Sequence, residues 1–221
     1  MIKYFTLLCF LFLSGSSLIA QDDLLAALEA EQSEHKEYVE ATFKGTRLIN
    51  GHSIETRKKG VMDFIIAHRF GTVDGGIYEL FGLDNASIRI GLEYALTDRF
   101  YFGLGRNSFE KTYDGFVKYR LLRQSTGNGS IPISVTWFSS MAIRTLKEPE
   151  YDLNIVDRSA YTHQLLIASK VNSVISLQLM PSWIHRNVIH PEDINNDVFA
   201  LGMGGRIKLN PRVAICMEYY H

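Results

Sequence analysis

Ser87-Ile88-Arg89-Ile90-Gly91-Leu92-Glu93-Tyr94-Ala95-Leu96 decides the fold class. Ile88, Ile90, Leu92, Tyr94 and Leu96 fall on one side of the chain. Ser87, Arg89, Gly91, Glu93 and Ala95 fall on the other. That period of two is the period of a β-strand. Thr97-Asp98-Arg99 turns the chain, and Phe100, Phe102 and Leu104 then alternate with Tyr101, Gly103 and Gly105. Two alternating runs joined by a short polar turn predict an antiparallel hairpin.

The same grammar extends both ways. Met62, Phe64, Ile66 and Phe70 alternate with Asp63, Ile65, Ala67 and Arg69, and strands are predicted over 112–122, 131–143, 161–170, 174–185, 197–209 and 213–220. Val171-Asn172-Ser173 and Asn210-Pro211-Arg212 are two further tight turns. Asn tolerates left-handed geometry and Pro presets φ. Pro181 falls inside a strand, where its missing N–H requires a bulge or an unpaired position.

Connections 71–86, 144–160 and 186–196 are long and polar, while 106–111 and 123–130 fit the alternation less sharply. Short turns at one end and long loops at the other are the pattern of outer-membrane barrels, with the short side periplasmic. Strands of about nine to eleven residues match a tilted membrane crossing. The expected fold is all-β, an antiparallel up-and-down transmembrane barrel of about ten to twelve strands when complete, with an N-terminal helical leader. A soluble sandwich or lipocalin-like barrel is the alternative, in which the two faces exchange roles. In a membrane barrel the apolar face meets lipid and the polar face lines the lumen. Asp63, Arg69, Arg89, Glu93, Lys118, Arg120, Arg206 and Lys208 are the lumen-facing candidates, with Asp114 and Glu218 on the same face.

The N-terminus carries a different signal. Lys3, the apolar run Tyr4–Leu13, the break at Ser14-Gly15-Ser16-Ser17 and Ala20 before Gln21 have the order of a cleaved secretory signal over 1–20. Cleavage leaves Cys216 as the sole cysteine, with no intramolecular disulfide. Residues 22–41 predict a helix with a short Leu24, Leu25, Leu28 face, so 21–42 reads as a periplasmic leader or lumen plug and 43–221 as the barrel. Formal net charge is -1 over 221 residues, which is no footprint for nucleic acid.

Strand direction adds a further expectation. With the tight turns periplasmic, the strand over 213–220 runs outward and an odd number of strands lies between 61 and 220. Single-chain bacterial barrels normally have an even number. The barrel is therefore expected to be C-terminally truncated by at least one strand, unless 43–49 supplies an extra one.

Phe43-Lys44-Gly45-Thr46-Arg47-Leu48-Ile49-Asn50-Gly51-His52-Ser53-Ile54-Glu55 followed by Asp63-Phe64-Ile65-Ile66-Ala67-His68-Arg69-Phe70-Gly71 resembles an outer-membrane β-barrel family, the domain of unknown function 5777. The likeness runs from about residue 40 to the end. It implies a signal peptide, a barrel, members that extend beyond this C-terminus and no assigned activity or catalytic residue.

Among polar clusters, Asn50, His52 and Glu55 are the functional candidates. Asn50-Gly51 is first a turn signal, with Gly supplying positive φ, and His52 beside Glu55 is a ligand or proton carrier only in the second place. His163 and His185 lie on neighbouring strands several residues apart in register, and His190-Pro191-Glu192-Asp193 has no metal-loop spacing. No metal, cofactor or catalytic constellation is expected. Gly103-Leu104-Gly105 and Gly202-Met203-Gly204-Gly205 lie inside strands with no helix after them, so they give room or bending rather than a phosphate cradle. Phe100, Tyr101, Tyr119, Trp137, Tyr161, Trp183, Tyr219 and Tyr220 suit aromatic girdles. The expected function is a narrow or plugged pore, transport accessory or structural protein of the outer membrane. Its partners would be outer-membrane lipid and a periplasmic or surface protein. A membrane-embedded enzyme and a soluble binding protein are the alternatives.

Overall fold

The computed structural model describes residues 35–146, 153–188 and 195–221. The expected signal peptide and most of the expected leader helix lie outside these residues. Over the described end of that helix, 35–41, the chain is extended or irregular. Glu37–Tyr38 (β1) pairs antiparallel with Ser125–Thr126 (β6), and together with their flanks these form a small unit of their own.

The main unit, 40–123 and 133–221, is a nine-stranded antiparallel meander. Its strands are Met62–Arg69 (β2), Ser87–Ala95 (β3), Phe100–Asn107 (β4), Tyr113–Leu122 (β5), Ser134–Ile143 (β7), Ser159–Lys170 (β8), Ile175–Arg186 (β9), Asp197–Lys208 (β10) and Ala214–Tyr220 (β11). Neighbours in space are neighbours along the chain, β6 excepted. The count is odd, as strand direction predicts. β2 and β11 have one neighbour each and are the edges of a sheet that is not closed.

The turns follow from their residues. Thr97 Oγ1 accepts from the amides of Arg99 and Phe100. Asn172 Oδ1 accepts from Val174 and Ile175, and Asn210 Oδ1 from Arg212 and Val213. In each case a short side chain supplies the acceptor that the turning backbone lacks. The connection between β4 and β5 is brief, with a single 3-10 turn at Phe109–Lys111, and the one between β5 and β7 carries β6. These are the two connections that depart from the alternation of short and long. Leu121 forms a bulge between Arg120 and Leu122. At Pro181 the ladder to β8 skips Leu165 and Leu166 and resumes unshifted at Ile167, which is how a residue without an N–H is accommodated.

Burial is inverted relative to a soluble sheet. In β9, Ser176, Gln178, Met180 and Ser182 are buried, while Leu177, Leu179 and Trp183 are exposed. Phe64, Ile66, Leu104, Met203 and Met217 are exposed too, and Phe199 reaches 80%. Glu93 and Lys118 are 0% exposed. No helix among the described residues is long and apolar enough to cross a membrane.

Candidate functional site

The polar side chains are buried by a segment of the same chain, residues 41–56, which lies across the polar face. It is neither an added strand nor part of a helix. Leu48 and Gly51, and Ser53 and Thr46, join by main-chain hydrogen bonds around a bridge between Arg47 and His52. Ser53 Oγ donates to Gly45 O and accepts from the amide of Glu55, and Glu55 Oε1 accepts from the amide of Phe43. Asn50 sits exposed at the tip. Gly51 is not among the glycines with positive φ. Its missing side chain is required because a Cβ there would meet Tyr220 Oη and the Glu218 carboxylate.

Most of the sheet's grip on this segment is on its main chain. Lys118 Nζ on β5 donates to Thr46 O and Ser53 O at 2.9 Å and to Glu55 O at 3.2 Å, which uses all three ammonium protons. Gln178 on β9 accepts from the amide of Ile54 at 2.9 Å and donates to His52 O at 2.9 Å. Thr136 on β7 donates to Ile54 O, and Arg206 on β10 donates to Ala41 O. Glu218 on β11 accepts from the amides of Ile49 and Gly51 at 3.1 and 3.0 Å.

Two ion pairs involve side chains of the segment. Arg47 pairs with Glu93 on β3, and Glu55 with Arg120 on β5. Glu93 also accepts from Tyr101 Oη at 2.6 Å, and Arg89 spans Glu93 and Asp114. Asp63 pairs with Arg57. A buried carboxylate is tolerable when several donors converge on it, and Glu93 has that arrangement.

Apolar packing completes the fit. Phe43 and Ile54 join Phe116, Phe138, Leu166 and Met180 in the core, and Leu48 packs against it. Leu48 occupies the space that a side chain at Gly204 would need, which is why this stretch of β10 contains glycine. His52 packs against the rings of Phe116 and Phe138 with centroids at 4.5 and 4.4 Å, and the two phenyl rings also meet each other at 5.8 Å, so the three rings form a cluster. Its buried Nδ1 has no hydrogen-bond partner among the described residues. Burial first, then the Lys118, Arg47 and Arg89 cations, holds the His52 pKa well below the usual imidazole range. A neutral ring packed against two phenyl groups is built as a packing element.

Of the lumen-facing candidates, Asp63, Arg89, Glu93, Lys118, Arg120 and Arg206 take part in these contacts. Arg69 is exposed at the loop end of β2, and Lys208 is half-buried at the turn end of β10. Asn50, His52 and Glu55 are not brought into one site: Asn50 is exposed, His52 packs against Phe116 and Phe138, and Glu55 is held by the Phe43 amide and Arg120. Tyr101 and Tyr220 do not belong to a girdle. Tyr101 is fully buried on the polar face, and Tyr220 reaches Met180 and Gly51 there. Trp137, Trp183 and Tyr219 are exposed on the apolar side. His163 pairs in register with Trp183 and His185 with Tyr161, so the two histidines are two residues apart on one face, closer than expected. No group of three metal-capable residues occurs among the described residues. His190 lies outside them.

Gln178, Thr136 and Arg47 were not singled out in the sequence. Gln178 was accessible to the same reasoning as the charges, since it alternates with Leu177 and Leu179. As a neutral amide it carries no charge signal.

The model of a family described as a membrane-bound β-barrel domain, the domain of unknown function 5777, matches residues 43–221. The chain belongs to that family. The match begins at Phe43, so it takes in nearly all of the segment on the polar face as well as the nine strands. No curated protein and no solved structure matches the chain. Membership explains the inverted burial. In a bilayer the exposed Leu, Ile and Phe side chains meet acyl chains, and the buried face is the one turned away from lipid.

Proposed function

We propose that this protein is an outer-membrane β-barrel whose interior is filled by its own residues 41–56, and that it serves as a closed structural or transport-accessory barrel rather than an open pore. Lys118 carries the reading. Its ammonium is fully buried, and every proton it can donate goes to a carbonyl of the segment. Removing the segment would leave that charge without ligands unless water replaced them. An ion path along this face would have to displace these hydrogen bonds together with those of Gln178 and Glu218.

A catalytic role for His52 and Glu55 has less support. His52 is packed against two phenylalanines, and Glu55 is held by the Phe43 amide and Arg120. Planar-bilayer recording of the full-length protein is the test. The closed reading predicts no stable conductance steps for the native chain and distinct steps after deletion of 43–56. Steady conductance from the native chain would overturn it.

A further inference from the structure

We infer that the polar face is a polypeptide-binding site that reads main chain, and that residues 41–56 are its ligand in cis. The inference rests on the closed reading above and names the class of molecule the interior takes. A buried irregular segment must have its peptide groups paired, and it could pair them within itself or with water. Here, five side chains from five strands are directed at peptide groups. Lys118 takes three carbonyls, Gln178 takes one amide and one carbonyl, Thr136 and Arg206 take a carbonyl each, and Glu218 takes two amides. Every polypeptide offers those groups, whatever its sequence, so such a site tolerates sequence as a sheet edge does when it adds a strand.

Selectivity comes from a few apolar anchors. Phe43 and Ile54 are buried among Phe116, Phe138 and Met180, and Leu48 sits over Gly204. The recognised class is a polypeptide of about a dozen or more residues with apolar side chains at those three spacings. Two polar atoms of the face are not used by the cis ligand. Arg206 Nε and Ser176 Oγ are buried without a partner among the described residues, and they face each other in register across β9 and β10. The tether is within reach of a protease: Lys58, Lys59 and Gly60 are exposed, while the amides of Lys59 and Gly60 bond Asp98 and Ala95.

The test places a specific protease site between Lys59 and Gly60 of the full-length protein. After cleavage, labelled peptides compete for the interior. One has the native 41–56 sequence. A second keeps only Phe43, Leu48, Gly51 and Ile54 and shuffles the rest, since a side chain at position 51 would meet Tyr220 and Glu218. A third is the second with N-methylated amides at the positions of Ile49, Gly51 and Ile54. The first two are expected to bind within about tenfold of each other, and the third at least about tenfold more weakly, as fits loss of buried hydrogen bonds. Lys118→Met should weaken the first two alike. Binding of the native peptide alone would overturn the inference, and so would binding of none. If cleavage unfolds the protein, the uncut chain is used with the second peptide in excess. Faster amide exchange at Ile49, Gly51 and Ile54 supports displacement, and unchanged exchange overturns it. A native chain that conducts without any peptide would instead refute the closed reading itself, so the two failures are distinguishable.

Discussion

Gln178 and Leu179 are adjacent residues of β9 with opposite environments. Gln178 is buried and brackets Ser53, accepting from the amide of Ile54 and donating to the carbonyl of His52. Leu179 is nearly half exposed on the opposite face. In a soluble sheet these roles would be exchanged, because apolar surface leaves water at about 25 cal/mol per Å2. The difference shows that two different solvents fold this sheet. Lipid takes the apolar face, and residues 41–56 take the polar one. Each face is satisfied by a different mechanism, so each should fail differently.

The largest effect is expected at Lys118. Lys118→Met leaves the carbonyls of Ser53 and Glu55 without their donor, and each orphaned group costs about 1–3 kcal/mol. The segment should undock by about 3–5 kcal/mol, seen as protease sensitivity and amide exchange over 41–56. Strand protection in β7 to β10 should change little.

Leu179→Arg sharpens the comparison from the other side. In a bilayer, Arg on the lipid face near the midplane costs about 2–4 kcal/mol. The folded fraction in lipid should fall accordingly, as read by denaturant titration in vesicles, while the segment stays docked. A neutral outcome at this exposed position is what a soluble sheet would give. Gln178→Leu comes next, at about 2 kcal/mol of undocking, because two main-chain partners lose their mates while the packing volume is kept.

The smallest effect concerns pH. The pKa of His52 in the docked state is lowered, chiefly by burial. The docked state therefore binds fewer protons than the undocked one at mildly acid pH. Its stability is complete above the free imidazole pKa of about 6.5 and declines as pH falls below that value, by at most about 1.4 kcal/mol per pH unit. Protection factors at Gly51 and Ile54, corrected for intrinsic exchange, should drop between about pH 7.5 and about pH 5.5. In His52→Phe that contribution should vanish.

The strands were legible because alternation is a local signal, carried by residues two apart. Ser87–Ala95 and Ile175–Arg186 could be read within a residue or two of their ends. The turns were legible for the same reason, since Thr97, Asn172 and Asn210 bond only two or three residues ahead. The segment 41–56 was not. It has no period, because much of its backbone is satisfied by side chains 63 to 169 positions away, such as Lys118 for Glu55 and Glu218 for Ile49. Nothing local to Asn50-Gly51 announces Glu218 and Tyr220, so a turn with positive φ was the natural expectation there. The expected helix fails over 35–41 because Glu37–Tyr38 finds a partner in Ser125–Thr126, far along the chain. Among the candidate residues, alternation assigned the faces of Glu93, Lys118 and Arg206. It had no means of telling a rim position such as Arg69 from an interior one.

The central claim is that lipid covers one face of the sheet and residues 41–56 the other. Nitroxide labels placed one at a time along residues 177–183, in the full-length protein reconstituted in vesicles, test this directly. At Leu177, Leu179, Pro181 and Trp183, collisions with oxygen should be frequent and those with a water-soluble relaxant rare. At Gln178, Met180 and Ser182, both should be rare. Ready access of the water-soluble relaxant to the even positions would mean an open aqueous interior and would contradict the account.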